Sequence, residues 1–277
     1  MTVEEENIIK KLKLSVSKVK TFDQCKKKYY YTYEMKLPRK TWAFHTLGKF
    51  VHSVLEEFHG SFIKGSDEPL NVVMGRAYKI AMKEFGKSMS EESKKEAFIM
   101  IDGYLQKITN EKHTLKDVIA VEKNFSFPIT DRIILNGMID KIQIDHDGIL
   151  SVGDYKTTKD KRYLKDDWLQ LQTYAYVLAT EDPSIREIRG SYILVRHNFE
   201  RIEKVFNINE IMEIKDQFET YAKDIEDEQL WEATPSKLCS YCDFIDRCDQ
   251  GKDFLAKNSR NYNVFSHNNQ DHGEIKW

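Results

Sequence analysis

Three residues in one short stretch carry the first chemical signal. Asp140, Asp154 and Lys156 lie in IILNGMIDKIQIDHDGILSVGDYKTT, residues 133 to 158. Asp147-Gly148 is a strong short-range hairpin signal. Leu135, Ile139, Ile142 and Ile144 lead into it, and Ile149, Leu150 and Val152 lead out. A turn centred on Asp147 sets Asp140 opposite Asp154, and Lys156 falls on the same sheet face as Asp154. Two carboxylates facing each other at roughly 5 Å between Cβ atoms repel. A divalent cation between them relieves that repulsion, and hard ions such as Mg²⁺ or Mn²⁺ prefer carboxylate oxygen. Lys156 could then orient an attacking water or stabilise charge developing on a phosphate. The competing reading is a hairpin face that carries its charges in water.

Cysteine supplies the second signal. The chain has four. Cys239, Cys242 and Cys248 are closely spaced near the end, and Cys25 stands alone near the start. Four soft thiolates suit an iron–sulfur cluster or a zinc ion, and spacing alone does not separate the two. Such a site would clip the two ends of the chain together. Unrelated buried thiols and a redox C-x2-C pair are the rival readings.

The bulk composition bounds the class. At 277 residues, 40% hydrophobic and 32% charged, the chain reads as a globular protein. No apolar run approaches the roughly 18 residues of a transmembrane helix. The N-terminal residues lack the apolar core of a signal peptide, so no membrane association and a cytoplasmic location are expected. The formal net charge is −2, unevenly spread. The stretch from residue 7 to 40 is strongly basic, and the stretch from 209 to 232 is acidic. Lys26, Lys27 and Lys28 run directly into Tyr29 and Tyr30, a pattern that suits a nucleic-acid backbone with stacked bases. A solvated helix with a tyrosine core face would give the same pattern.

The elements that must position these residues follow from periodicity. A helix is expected over Leu14 to Tyr33, capped by Ser15 or Ser17. A second runs from about Phe44 to Lys64, with Leu47, Val51, Val54, Leu55, Phe58 and Phe62 inward and Gly48, His52, Glu56 and His59 on another face. Further helices are expected at Val72 to Phe85 and Glu91 to Ile108. Asp117 to Phe125 reads as a strand before the hairpin. Tyr163 to Thr180 returns to helix, with Gln170 and Tyr174 one turn apart. Arg189 to Arg196 and Arg201 to Phe206 read as strands, and Ile208 to Gln229 as one acidic helix. Gly86-Lys87-Ser88 resembles the end of a phosphate loop, but Ala81 stands where its first glycine belongs, so it reads as a helix stop. The order predicts an α/β (α+β-like) fold: a mixed central sheet flanked by helices, in one domain over residues 1 to 255. A polar, poorly ordered tail is expected over 256 to 277.

Together these pieces resemble the RecB-type branch of the PD-(D/E)XK nucleases. They are most similar to its iron–sulfur subgroup, which includes CRISPR-associated RecB-like exonucleases and the AddB nuclease domain. LSVSKVKTFDQCKKKYYYTYEMKL resembles the N-terminal helix with the first cluster cysteine, Cys25. LGKFVHSVLEEF resembles the helix with the metal-binding histidine, His52. NGMIDKI matches the first metal aspartate, Asp140, and VGDYKTT the acid-x-lysine pair, Asp154 and Lys156. LQLQTYAYVL matches the glutamine–tyrosine helix, Gln170 and Tyr174, and CSYCDFIDRC the last three cysteines. Isoleucine replaces the motif's proline before Asp140, and Asp154 stands in for glutamate. The resemblance implies a restriction-endonuclease-like fold with a [4Fe-4S] clip, zinc being the alternative. It also implies Mg²⁺ or Mn²⁺ held by His52, Asp140, Asp154 and the Tyr155 carbonyl, with Glu122 in a lesser role. The implied activity is that of an exodeoxyribonuclease on single-stranded DNA or duplex ends, in DNA processing, recombination or repair, CRISPR-associated or phage settings included. It leaves room for a helicase or recombination partner. A non-catalytic binding module on the same fold is the alternative.

Overall fold

The longest strand organises the chain. In the computed structural model, which describes residues 11–258, Ile133–Ile144 runs through a six-stranded mixed sheet. In chain order the elements are β1 (Leu12–Leu14), α1 (Val16–Gln24), α2 (Lys26–Tyr29), α3 (Ala43–Ile63), α4 (Leu70–Phe85) and α5 (Glu91–Asn110). Then come β2 (Val118–Pro128), β3 (Ile133–Ile144), β4 (Leu150–Lys156), α6 (Leu169–Glu181), β5 (Glu187–Leu194) and β6 (Glu200–Asn207). The chain closes with α7 (Ile208–Met212), α8 (Ile214–Asp227) and α9 (Asp249–Lys257). Residues 259–277, most of the expected tail, lie outside the described residues, and 256 and 257 belong to α9.

The expected α/β architecture is present as a mixed sheet with helices on both faces. One core packs α1, α6 and α8 against the sheet through Val19, Leu135, Ile139, Val152, Leu171, Tyr192 and Phe218. The other packs α3, α4 and α5 against the opposite face through Val51, Phe58, Ala77, Ile101, Tyr155 and Ile193. Side chains of neighbouring strand residues point to opposite faces. Tyr155 therefore enters the helical core while Asp154 and Lys156 face α6.

The hairpin register is the expected one. Lys141 pairs with Gly153, Ile142 with Val152 and Ile144 with Leu150, so Asp140 and Asp154 are next in line. Gly148 takes φ +83, a left-handed conformation that costs glycine little. Beyond Lys141 and Gly153 the two strands part. β2 continues along one edge of β3, and β1 takes up the other edge at Ile133 to Leu135. The cleft between Asp140 and Asp154 is thus a splay in the sheet, while β4 stays anchored to β5 through Lys156.

Three local expectations are corrected. The helix over Leu14 to Tyr33 is interrupted. Ser15 caps α1 as expected, but Leu12–Leu14 is a strand parallel to β3, and Cys25 breaks the helix with φ −169 and ψ 111. Helical periodicity carries through the break, so it is silent about it. The helix expected from Tyr163 starts only at Leu169. The acidic helix is two, α7 and α8, the first capped by a reciprocal Asn207–Glu210 box.

Candidate active site

Asp140 sits where β3 loses its pairing with β4, and its carboxylate takes over the missing bond. Tyr155 N–H donates to Asp140 Oδ2 at 2.9 Å. From the opposite face, α3 brings His52, whose Nε2 donates to the Tyr155 carbonyl at 2.9 Å. His52 Nδ1 then lies 3.4 Å from Asp140 Oδ2 and 3.6 Å from Glu122 Oε1. The ligand atoms of His52, Glu122 and Asp140 all stand within 4.8 Å of one another.

Glu122 belongs to this cluster as fully as Asp140 does, beyond the lesser role expected of it. β2 pairs Val121 with Lys141 and Lys123 with Ile139, which sets Glu122 against Asp140. Its φ is +47, an uncommon conformation for a residue with a side chain, of the kind that persists where surroundings impose it. The register follows from the β2–β3 connection, and that turn has no Asn-Gly or Asp-Gly signature. Local spacing therefore did not set Glu122 beside Asp140; the family resemblance was the signal that pointed to it.

Asp154 faces the other way. Its Oδ2 lies 2.6 Å from Lys156 Nζ, in an alignment that makes no hydrogen bond, and that oxygen is buried. Lys156 Nζ also donates to Gln170 Oε1 at 3.2 Å, and Gln170 Nε2 donates to Tyr174 Oη at 2.7 Å. The one-turn spacing on α6 thus becomes a relay of contacts that fixes the lysine. Asp154 remains near enough to help push the Asp140 carboxyl up.

The electrostatics match a crowded carboxylate site. Burial, then the Asp154 charge, pushes Asp140 up to about 7. Burial pushes His52 down, but Glu122, Asp140, Asp154 and the Tyr155 carbonyl outweigh it and raise His52 to about 9.

The donor set fits a hard divalent ion. Octahedral ligands about 2.1 Å from Mg²⁺ are about 3 Å from their neighbours. The separations of 3.4 and 3.6 Å from His52 Nδ1 to the Asp140 and Glu122 carboxylates are a few tenths of an ångström wider than that. Asp154 Oδ2 is already ion-paired with Lys156 at 2.6 Å and lies outside the His52–Glu122–Asp140 cluster.

The four cysteines line one cavity, with Pro235, Leu238, Phe244 and Ile245 among its walls. Thr234 N–H points at Cys25 Sγ (3.5 Å), Ser236 N–H at Cys239 Sγ (3.4 Å) and Gly251 N–H at Cys248 Sγ (3.4 Å). A Cβ at Gly251 would stand 3.4 Å from Cys248 Sγ and 3.6 Å from Cys239 Sγ. Burial pushes the Cys239 and Cys242 thiols up. The sulfurs share this cavity without closing into a compact ligand set: among the described residues, no three lie within 4.8 Å of one another.

The expected base-stacking role of the lysine–tyrosine run is corrected in part. Tyr29 is only 1% exposed and stacks on Trp231 at 5.7 Å, so its ring belongs to the core. Tyr30 is half-buried against the same indole. Lys26 is ion-paired with Glu228, Lys27 reaches Gln250 and Lys28 reaches Gln24. A helix rotates every third or fourth side chain inward, and here that turn takes Tyr29.

A family model described as the PD-(D/E)XK nuclease superfamily matches residues 13–249. A crystal structure of a protein from Eubacterium rectale, described as a "putative exonuclease", superposes with a TM-score of 0.51 at 12% identity, over 91% of this chain and 93% of that one. The crystal structure of SSO0001 aligns at a TM-score of 0.38 and 15% identity, over 90% of this chain and 89% of that one. No curated protein matches. No helix among the described residues is long and apolar enough to cross a membrane.

Proposed function

The chain belongs to the PD-(D/E)XK nuclease superfamily, and on that premise we propose that it hydrolyses phosphodiester bonds in DNA as an exonuclease, acting on single strands or duplex ends. The carrying observation is the convergence of His52, Glu122 and Asp140 within 4.8 Å of one another, beside the Asp154–Lys156 pair. His52, Glu122, Asp140, Asp154 and the Tyr155 carbonyl would hold Mg²⁺ or Mn²⁺. When bound, such an ion lowers the pKa of water and stabilises charge on the phosphoryl oxygens.

The protein's own groups supply the rest. Lys156 orients the attacking water and offsets the charge that builds on the scissile phosphate. Gln170 holds Lys156 in place from α6, and Tyr174 holds Gln170. Asp154 orients the lysine from below and is itself buried, so the pair has little freedom to move into solvent. Nucleic acid is the substrate, and a helicase or recombination factor would be the partner that presents ends to it.

The cysteine cavity is assigned here to an iron–sulfur cluster. Four thiols around one cavity and three N–H groups aimed at sulfur support it. A single zinc ion needs sulfurs about 3.8 Å apart, from Zn–S bonds of about 2.3 Å in a tetrahedron. Among the described residues, no three of these sulfurs stand within 4.8 Å of one another.

The test is cleavage of end-labelled single- and double-stranded DNA by anaerobically purified protein, with Mg²⁺, Mn²⁺ or EDTA. Metal-dependent release of label, absent in Lys156→Ala, is the expected result. A folded, metal-supplied protein that cleaves neither substrate would overturn the assignment. Iron, sulfide and zinc contents of the same sample decide the cofactor.

A further inference from the structure

An aromatic patch lies two helical turns from the candidate site and is absorbed by nothing described so far. Trp42 and Phe44 stack at 5.9 Å with planes 26° apart, and Tyr241 closes on both, at 5.8 and 6.2 Å. His45 packs edge-on against Phe44 at 4.4 Å. Such groups normally turn inward, yet Phe44 is 48% exposed, and His45 is also exposed.

Its placement is specific. His45 and His52 are seven residues apart on α3, so they share a helix face about 10 Å apart along the axis. Between them Gly48 faces the end of β4, where a Cβ would meet Thr157 Oγ1 at 3.5 Å. His45, Gly48 and His52 thus share one helix face, with the Thr157 side chain beside Gly48. Tyr241 comes from the cysteine lobe, between Cys239 and Cys242. Trp42 Nε1 donates to Asp243 at 2.7 Å, and Lys40 pairs with Asp246 at 2.9 Å. Assembly of that lobe thus completes the patch.

The surrounding charge is positive. Arg39, Lys40 and Lys49 are exposed on the same segment. Lys49, Lys28 and Arg39 are close enough to His45 to act on its charge, against Asp243. Of the nearby acids, Asp246 is paired with Lys40, while Asp243 accepts from Trp42 and keeps its charge, against the exposed cations Arg39 and Lys49.

We infer that Trp42, Phe44, His45 and Tyr241 form a stacking platform for unpaired bases, with Arg39 and Lys49 on the phosphates, which delivers a single nucleic-acid strand along α3 to His52. Aromatic faces bind bases of any sequence, and cations beside them track the backbone. This inference rests on the nuclease reading and deepens it. It also replaces Tyr29, which the core has taken, with rings that solvent can reach.

The experiment measures binding of fluorescently labelled oligo(dT) and oligo(rU) to the full chain by anisotropy, in EDTA and at two salt concentrations. Wild type is compared with Phe44→Ala, Lys49→Ala and Phe98→Ala, the last being a control because Phe98 is 58% exposed on α5. Phe44→Ala is expected to weaken binding about fivefold to a hundredfold, the range seen for loss of one base–aromatic stack. Lys49→Ala should weaken it and reduce the salt slope by about one. Phe98→Ala should match wild type. The dT and rU arms show which sugar the platform accepts. Equal binding by wild type and Phe44→Ala, with cleavage by wild type intact, would overturn the platform and leave the nuclease standing. Wild type that neither binds nor cleaves would overturn both.

Discussion

Metal binding at the His52 cluster should release a proton, and the release should show in the pH dependence of affinity. In the metal-free protein the opposing carboxylates outweigh burial and raise His52 from its ordinary 6.5 to about 9. A metal ligand must be the neutral imidazole. Between pH 7 and 9 each bound ion therefore displaces close to one proton, and affinity should rise about tenfold per pH unit. Below about 7 Asp140 also holds a proton, so the slope there should steepen. The sign for stability is opposite. A group whose folded pKa is raised stabilises fully below 6.5, and that contribution is lost as pH climbs through 9. The metal-free protein should thus lose stability over this interval, and added Mg²⁺ should restore it. Calorimetric titration with Mg²⁺ in two buffers of different ionisation enthalpy counts the proton directly. Glu122→Gln separates charge from ligation. It should weaken Mg²⁺ binding while flattening the slope between pH 7 and 9, because the side-chain contact that most raises His52 is reduced. A wild-type affinity that stays flat from pH 7 to 9 would show that His52 carries no displaceable proton, and the electrostatic account of the site would fail.

Three further outcomes follow from particular contacts. Lys156→Ala should lower the cleavage rate by about a hundredfold or more with the fold retained, and Gln170→Ala by a smaller factor because it only loosens the lysine; circular dichroism and steady-state rates check both. Gly190→Ala should destabilise by about 1–3 kcal/mol in urea unfolding, since its Cβ would meet Phe206 at 2.6 Å and Leu171 at 2.9 Å. Cys25→Ser should lower the iron content and the melting temperature together, because that thiol joins the α1–α2 break to the C-terminal lobe; unchanged iron would remove Cys25 from the ligand set.

Much of the site was legible because it is local. Asp140, Asp154 and Lys156 sit on one hairpin, and Asp147-Gly148 sets its register with no help from the rest of the chain. Gln170 and Tyr174 meet because helical spacing puts them on one side of α6. The buried stripe of α3 also follows from periodicity, and His52 falls on the face beside it. The two cores that flank the sheet follow from the same alternation.

What the sequence could not determine depends on contacts between distant segments. Glu122 enters the ligand cluster through the pairing of β2 with β3, whose turn has no sequence signature. β1 is three residues long and has its strand pairing only where β3 lies beside it. The break at Cys25 is invisible in an unbroken helical pattern, because Thr234 and the cysteine cavity, more than 200 residues away, are where its sulfur finds its surroundings. Helical rotation past the three lysines of α2 sends Tyr29 into the core, and solvent-reachable rings are gathered instead from α3 and the cysteine lobe. Local spacing determined which residues share a face. Tertiary packing decided which of those faces meet, because burial and strand register are properties of the whole sheet.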